Sequence, residues 1–252
     1  MHDTHAGTVE VRRQDGIAIL TLSRPAANNR ITRQMAEAGV TALEEVRIDR
    51  SIIGCVLTGE GDVFCTGGDY RGAGSSSAGQ LAFARAHNDL AQATSRLGKP
   101  LVAAVNGDAH AGGFSLIALC DLAVCAEDAT LGLPEAAHGL FPLLALAIVK
   151  DSLPQKVFFD LVYRARLLNA SEARSLHLVN EVVPRPRVLE RAIELAASTR
   201  HANPDIISIG RDLYYDTRGA TPHDANERAR FALVAALKAL DESPASTRDH
   251  NQ

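Results

Sequence analysis

The hydrophobic positions change their period several times along the chain. Val9–Arg13 alternates and Ile17–Ser23 runs largely apolar, with Asp15-Gly16, a dipeptide that favours a tight hairpin turn, between them. Two paired strands are predicted. From Thr32 to about Ile48 the apolar residues Met35, Val40, Leu43 and Val46 recur at helical spacing, and Thr32 stands where it would cap the first turn. Ile52–Thr58 and Leu101–Val105 are short strand-like runs with a helical stretch over about Gln80–Leu97 between them. Gly112–Leu119 reads as a helix that starts on glycines, Leu122–Cys125 as a further strand, and Gly139–Val149 as an apolar segment containing one proline. Strands alternating with helices predict an α/β fold with a largely parallel, buried sheet.

Past Asp151 the strand signals fade, and helical segments are predicted at Gln155–Arg164, Ser171–Leu176, Arg187–Thr199, Asp205–Tyr214 and Asp224–Leu240. Asn169-Ala-Ser-Glu has capping-box spacing, and Pro184 and Pro186 close the Glu181–Val183 run. The expected organisation is an α/β core over residues 1–195 and a C-terminal helical region over 196–252, with a polar, disordered tail at Glu242–Gln252. Gly72–Gly79 is the only low-complexity patch and reads as a mobile loop, either a plain connection or a lid.

At 252 residues and 46% hydrophobic the chain can bury a full core. Its 26 basic and 30 acidic residues leave a net charge of −4, which provides no electrostatic footprint for nucleic acid or an anionic membrane. No apolar run approaches the ~20 residues that cross a bilayer, and the N-terminus is polar, so a soluble, unexported, cytoplasmic protein is expected. Cys55, Cys65, Cys120 and Cys125 sit among apolar neighbours without metal-ligand spacing, which predicts buried reduced thiols and no metal site.

Two glycine turns carry the candidate chemistry. Phe64-Cys-Thr-Gly-Gly-Asp69 lies between a strand and a helix, and Asn106-Gly-Asp-Ala-His-Ala-Gly-Gly113 does the same after the next strand. Small residues there let backbone N–H groups approach a ligand, and neighbouring parallel strands bring both turns to one edge. Two converging donors would make an oxyanion hole for a thioester or ester; alternatively, the glycines only permit tight turns and helix–sheet packing. Neither turn spells a phosphate-binding loop.

These blocks resemble the crotonase, or enoyl-CoA hydratase/isomerase, superfamily. Arg24-Pro-Ala-Ala-Asn-Asn29 resembles its R-P-x-x-x-N, Phe64–Asp69 its F-x-A-G-A/G-D, and Lys99-Pro-Leu-Val-Ala-Ala-Val-Asn-Gly107 its K-P-V-I-A-A-V-N-G. Ala111-Gly-Gly113 with Cys120-Asp121, Pro134-Glu135 and His177–Pro184 match later blocks in the same order. The resemblance implies a ββα-type spiral core of the crotonase kind with a C-terminal helical trimerisation region, an acyl-CoA thioester substrate, no cofactor beyond the coenzyme A of that substrate, and a homotrimer or dimer of trimers. It puts the oxyanion donors at the N–H groups of Gly68 and Gly112, and Thr66 and Asp69 at the adenine side of the CoA pocket, with Arg24 and Asn29 nearby.

The resemblance also locates two acids, and here those positions hold Ser115 and Glu135, twenty residues apart. Only one is a carboxylate. Eight residues beyond Glu135, Leu143 within Leu140-Phe-Pro-Leu-Leu replaces a glycine or an aspartate, which removes the nucleophile of a related dehalogenase and the acid of dienoyl isomerases. Ser115 can hold a water but cannot be its base at neutral pH. A single glutamate, packed against Phe141, Leu140 and Leu143 with its pKa raised by desolvation, suits migration of a double bond from the 3 to the 2 position of an acyl-CoA. Hydration of a 2-enoyl-CoA and a non-catalytic acyl-CoA-binding scaffold are the alternatives. His110 and His138 flank the motifs as packing or surface residues. At the end of the chain, Leu240-Asp-Glu-Ser-Pro-Ala-Ser departs from the family pattern, so part of the acyl or CoA cover would be missing or supplied by a neighbouring subunit.

Overall fold

A computed structural model describes residues 7–241. β1 (Thr8–Gln14) and β2 (Ile17–Ser23) form the expected antiparallel hairpin, turning on Asp15 and Gly16, both at positive φ. That conformation is the one the mirror-image hairpin turns require. The helix α1 (Arg33–Ile48) is capped by Thr32, whose hydroxyl accepts from the Met35 N–H, and it buries Met35, Leu43 and Val46. At its other end the Lys99 ammonium donates to the carbonyls of Val46 and Asp49, placing a cation where the helix leaves unpaired acceptors.

Three successive strand pairs then build two sheets. β3 (Gly54–Gly59) and β4 (Val63–Cys65) are followed by α2 (Ser77–Ser95); β5 (Leu101–Val105) and β6 (Asp108–His110) are followed by α3 (Gly112–Leu119); β7 (Leu122–Ala126) and β8 (Thr130–Gly132) complete the series. The first strand of each pair enters a six-stranded sheet and the second a four-stranded sheet. Strand, strand, helix repeats as a spiral. The larger sheet has the order β1-β2-β3-β5-β7-β10 and is parallel from β2 onward, where β10 is Glu181–Val183. Every residue of β3 and of β5 is buried, as in a sheet covered on both faces.

The smaller sheet, β4-β6-β8-β9 with β9 at Leu167–Asn169, was not predicted from the sequence. Each of its strands is three residues long, too short to show an alternating period. The expectation that strands end near Asp151 is likewise corrected by β9 and β10, whose pairing partners are β8 and β7, far away in sequence.

The helical segments follow as α4 (Leu143–Val149), α5 (Gln155–Tyr163), α6 (Ala170–Ser175), α7 (Val188–Ala196), α8 (Pro204–Asp216) and α9 (Pro222–Asp241). Asn169 and Glu172 form the expected capping box on α6. α7 packs against β3, β5 and β7. Asp121 fastens α8 to the sheet, its carboxylate accepting from Leu101 N–H (2.8 Å), Arg211 Nε (2.9 Å) and the Tyr215 hydroxyl (2.6 Å). In the glycine-rich patch, Gly72 and Gly74 close hydrogen-bonded turns and Ser76 caps α2, accepting from the Gly79 N–H. The expected polar tail, residues 242–252, lies outside the described residues. No described helix is long and apolar enough to cross a membrane.

Candidate active site

β4, β6 and β8 are adjacent and parallel, so their C-terminal ends share one sheet edge. The segments leaving those ends are Thr66–Asp69, Ala111–Gly113 and Leu133–Glu135. Such an edge is where open parallel sheets bind ligands. The three segments open onto a single cavity of about 680 Å³, whose lining includes Thr66, Gly68, Gly112, Ser115, Glu135 and Leu143.

The two glycine turns nearly touch. Ile31 N–H donates to Gly67 O (2.9 Å) and Asp69 N–H donates to Ile31 O (2.8 Å), a short parallel bridge that uses the groups on either side of Gly68 and leaves its own N–H out. Gly112 is the first residue of α3, so its N–H has no acceptor within the helix. A Cβ built on Gly112 would stand 3.3 Å from the Gly68 nitrogen. Ala111 just before it has φ 52° and ψ −120°, a conformation that L residues rarely adopt and that stores strain at this turn. Cys65 braces the other turn, its thiol donating to Gly67 O and accepting from Gly67 N–H.

Glu135 lies on a 3₁₀ turn, Pro134–His138, half-buried, with Oε2 inaccessible and without a hydrogen-bond partner. Burial pushes its carboxyl above the ordinary glutamate value. Ser115 is 4% exposed, and its hydroxyl donates weakly to Ala111 O at 3.4 Å. Leu140, Phe141 and Leu143 line the cavity with Glu135 but keep their outer surfaces in solvent, Leu143 being 71% exposed. α4 turns Ala145 and Val149 inward instead.

Arg24 and Asp69, expected at the CoA pocket, are not among the residues lining the cavity. They pair with each other at 2.7 Å, their side chains 16% and 12% exposed. Asn29 is wholly buried; it accepts from Arg24 N–H and donates to Glu60 O and Val63 O, so it also braces the loop. Thr66 does line the cavity, with its hydroxyl on Asn28 O at 3.4 Å. His110 and His138 line it as well, and His110 Nε2 is engaged by the Thr130 hydroxyl at 2.8 Å. Among the described residues no group of three His, Cys, Asp or Glu side chains could hold a metal ion.

Sequence reasoning missed His87, which lines the cavity from α2. The signal was present: Phe83, Leu90 and Thr94 mark the buried stripe of that helix, and residue 87 falls on it.

The sequence profile of the enoyl-CoA hydratase/isomerase family matches residues 12–230. The chain belongs to the enoyl-CoA hydratase/isomerase family. Among relatives of this family, Enoyl-CoA hydratase EchA19 of Mycobacterium tuberculosis is 35% identical over 191 residues, 74% of this chain and 72% of that one. The 2,3-dehydroadipyl-CoA hydratase of Escherichia coli is 32% identical over 90% of both chains. An enoyl-CoA hydratase crystal structure from Mycobacterium smegmatis superposes with a TM-score of 0.86 at 26% identity, covering 95% of this chain and 92% of that one. The spiral of strand pairs is thus the crotonase-like fold, and the protein is an acyl-CoA enzyme of the hydratase/isomerase family.

Proposed function

We propose that this enzyme moves a proton at Cα of an enoyl-CoA thioester, with the enolate oxygen held by the N–H groups of Gly68 and Gly112 and the proton carried by Glu135. The observation that carries this reading is the buried, partnerless Oε2 of Glu135, a residue that lines the same cavity as both glycines. Desolvation raises this carboxyl above its ordinary value, the direction that suits a group that must both take and return a proton. Each oxyanion donor of this kind contributes about 2.7–4 kcal/mol to the transition state, and a positioned acid–base group about 10²–10⁴ in rate.

Migration of a double bond is the reaction that Glu135 completes unaided. The carboxylate takes a proton from Cα of a 3-enoyl thioester, the electrons spread into a dienolate whose oxygen rests on the two amides, and the same carboxyl returns the proton at Cγ. The proton travels between carbon and carboxylate, so coenzyme A enters only as part of the substrate. Thr66 borders the cavity for the CoA half, while the Arg24–Asp69 pair stiffens the loop beneath it.

Hydration is the second reading, favoured by the names of the EchA19 and 2,3-dehydroadipyl-CoA hydratase relatives. Adding water requires a base that Ser115 cannot supply. The homo-oligomer that the family resemblance implies is supported by α9, which buries none of its residues and exposes Phe231, Leu233, Val234 and Leu237. The test is incubation of 2-enoyl-CoA and 3-enoyl-CoA thioesters in heavy water. Double-bond migration is expected, with deuterium entering at Cγ of the product and, where the carboxyl exchanges with solvent before reversal, at Cα of the 3-enoyl thioester; tight binding of the thioesters with neither exchange nor turnover would leave only a binding scaffold.

A further inference from the structure

Three buried side-chain polar atoms among the described residues lack a hydrogen-bond partner, and two of them, Glu135 Oε2 and His87 Nε2, belong to residues that line the same cavity. Native structures rarely leave such atoms unsatisfied, and that both residues border one cavity points to a ligand that supplies the missing partners. The tautomer of His87 follows from its other nitrogen. Nδ1 lies 3.0 Å from Phe83 O, and a carbonyl oxygen only accepts, so Nδ1 carries the hydrogen and Nε2 of the neutral ring presents a lone pair. The ring is wedged against Phe83 with centroids 4.1 Å apart. Nε2 is 3.3 Å from the point that a Cβ on Gly68 would occupy, which places this acceptor beside the glycine that holds the thioester oxygen in the reading above.

We propose that His87 is a second catalytic group of this site: Nε2 holds a water and takes its proton as the water oxygen adds to Cβ of a 2-enoyl thioester. This rests on the enolate reading of Gly68, Gly112 and Glu135. In the forward direction the O–Cβ bond forms, the Cα–Cβ π pair becomes a Cα–C1 double bond as the carbonyl π pair moves onto the thioester oxygen to give an enolate, and the protonated Glu135 then delivers its hydrogen to Cα as the carbonyl reforms. One water is consumed and a 3-hydroxyacyl-CoA results. The imidazolium and the carboxylate return to their starting states through solvent protons. Burial favours the uncharged form of both groups, lowering the His87 pKa and raising that of Glu135, and those are the protonation states in which hydration starts. The missing first carboxylate, replaced by Ser115 on α3, is in this view compensated from α2.

The experiment follows two readouts in the same protein: 3-hydroxyacyl-CoA formation from crotonyl-CoA and longer 2-enoyl-CoA thioesters, and deuterium entry at Cα of 3-enoyl-CoA in heavy water. In His87→Gln and His87→Ala the ratio of hydration to Cα exchange is expected to fall on the order of 10²-fold, and added imidazole is expected to restore part of the hydration in His87→Ala. Hydration that persists in both variants, or exchange and hydration lost in equal proportion without rescue, would make His87 a packing residue. If the wild-type enzyme exchanges Cα but forms no hydroxyacyl product, the His87 proposal falls and the enolate reading stands. If it does neither, the enolate reading itself has failed.

Discussion

Gly113 meets Cys65 so closely that a Cβ on the glycine would lie 1.9 Å from the cysteine carbonyl oxygen. This contact joins the first turn of α3 to the end of β4, and so holds the two candidate oxyanion amides at a set separation. Because the obstacle is the buried backbone at the end of β4, no side-chain rotation relieves it. Gly113→Ala is therefore expected to cost about 3 kcal/mol in chemical denaturation and to abolish Cα–proton exchange even where the chain still folds. Wild-type exchange in the folded variant would show that the amide spacing is unimportant.

Ala111 is the converse case. Its positive φ is the kind of conformation in which a Cβ is unfavourable, and the strain sits directly before Gly112. Ala111→Gly should stabilise the protein by about 1 kcal/mol, the relief of strain exceeding the added freedom of the unfolded chain. Thermal melting checks the sign; a lower midpoint would mean that the turn is not strained.

For Glu135, the proposed proton-carrying role and stability pull in opposite directions. Its carboxyl is raised above the ordinary 4.5 by burial, so between that value and its folded value the native state holds the extra proton and stability declines as pH rises. Glu135→Gln removes the penalty. The variant should lose about 10²–10⁴ in turnover while melting higher than the wild type at neutral pH, with the difference closing toward pH 4. Retained turnover would take Glu135 out of the mechanism.

The Arg24–Asp69 pair has the opposite sign. Burial raises the Asp69 carboxyl, but the hydrogen bond from Arg24 and that from the Gly72 N–H outweigh it and hold it below the usual 3.8. Its contribution is present above that pH and is lost as pH falls through the folded value. Asp69→Asn is expected to cost about 2 kcal/mol at neutral pH and progressively less in acid. A loss that grows toward low pH would contradict the pairing.

The thiols should be chemically quiet. Burial pushes Cys55, Cys65 and Cys125 up to about 12, leaving almost no thiolate near neutrality. Iodoacetamide labelling of the native enzyme should be slow at all three and rapid only after denaturation; fast native labelling of Cys65 would place the Gly67 turn in an open state.

The hairpin on Asp15-Gly16, the Thr32 cap, the capping box at Asn169 and the strand Leu101–Val105 were legible in the chain because each depends on neighbours within a few residues or on one period of burial. The two glycine turns were legible from their small residues between strand and helix, whereas the choice of Gly68 and Gly112 within them, and of Glu135, came through family resemblance, which carries positions but not surroundings. Contacts settled the rest. The three-residue strands β4, β6 and β8 have no period of their own and exist through pairing with one another, yet it is their shared edge that gathers Gly68, Gly112 and Glu135. In the same way, Arg24 and Asp69 became each other's partner, and His87, which lines the same cavity, was left with a buried, unpaired nitrogen. Local order is written in adjacent residues; which groups end up unsatisfied, and beside what, depends on segments tens of residues apart packing together.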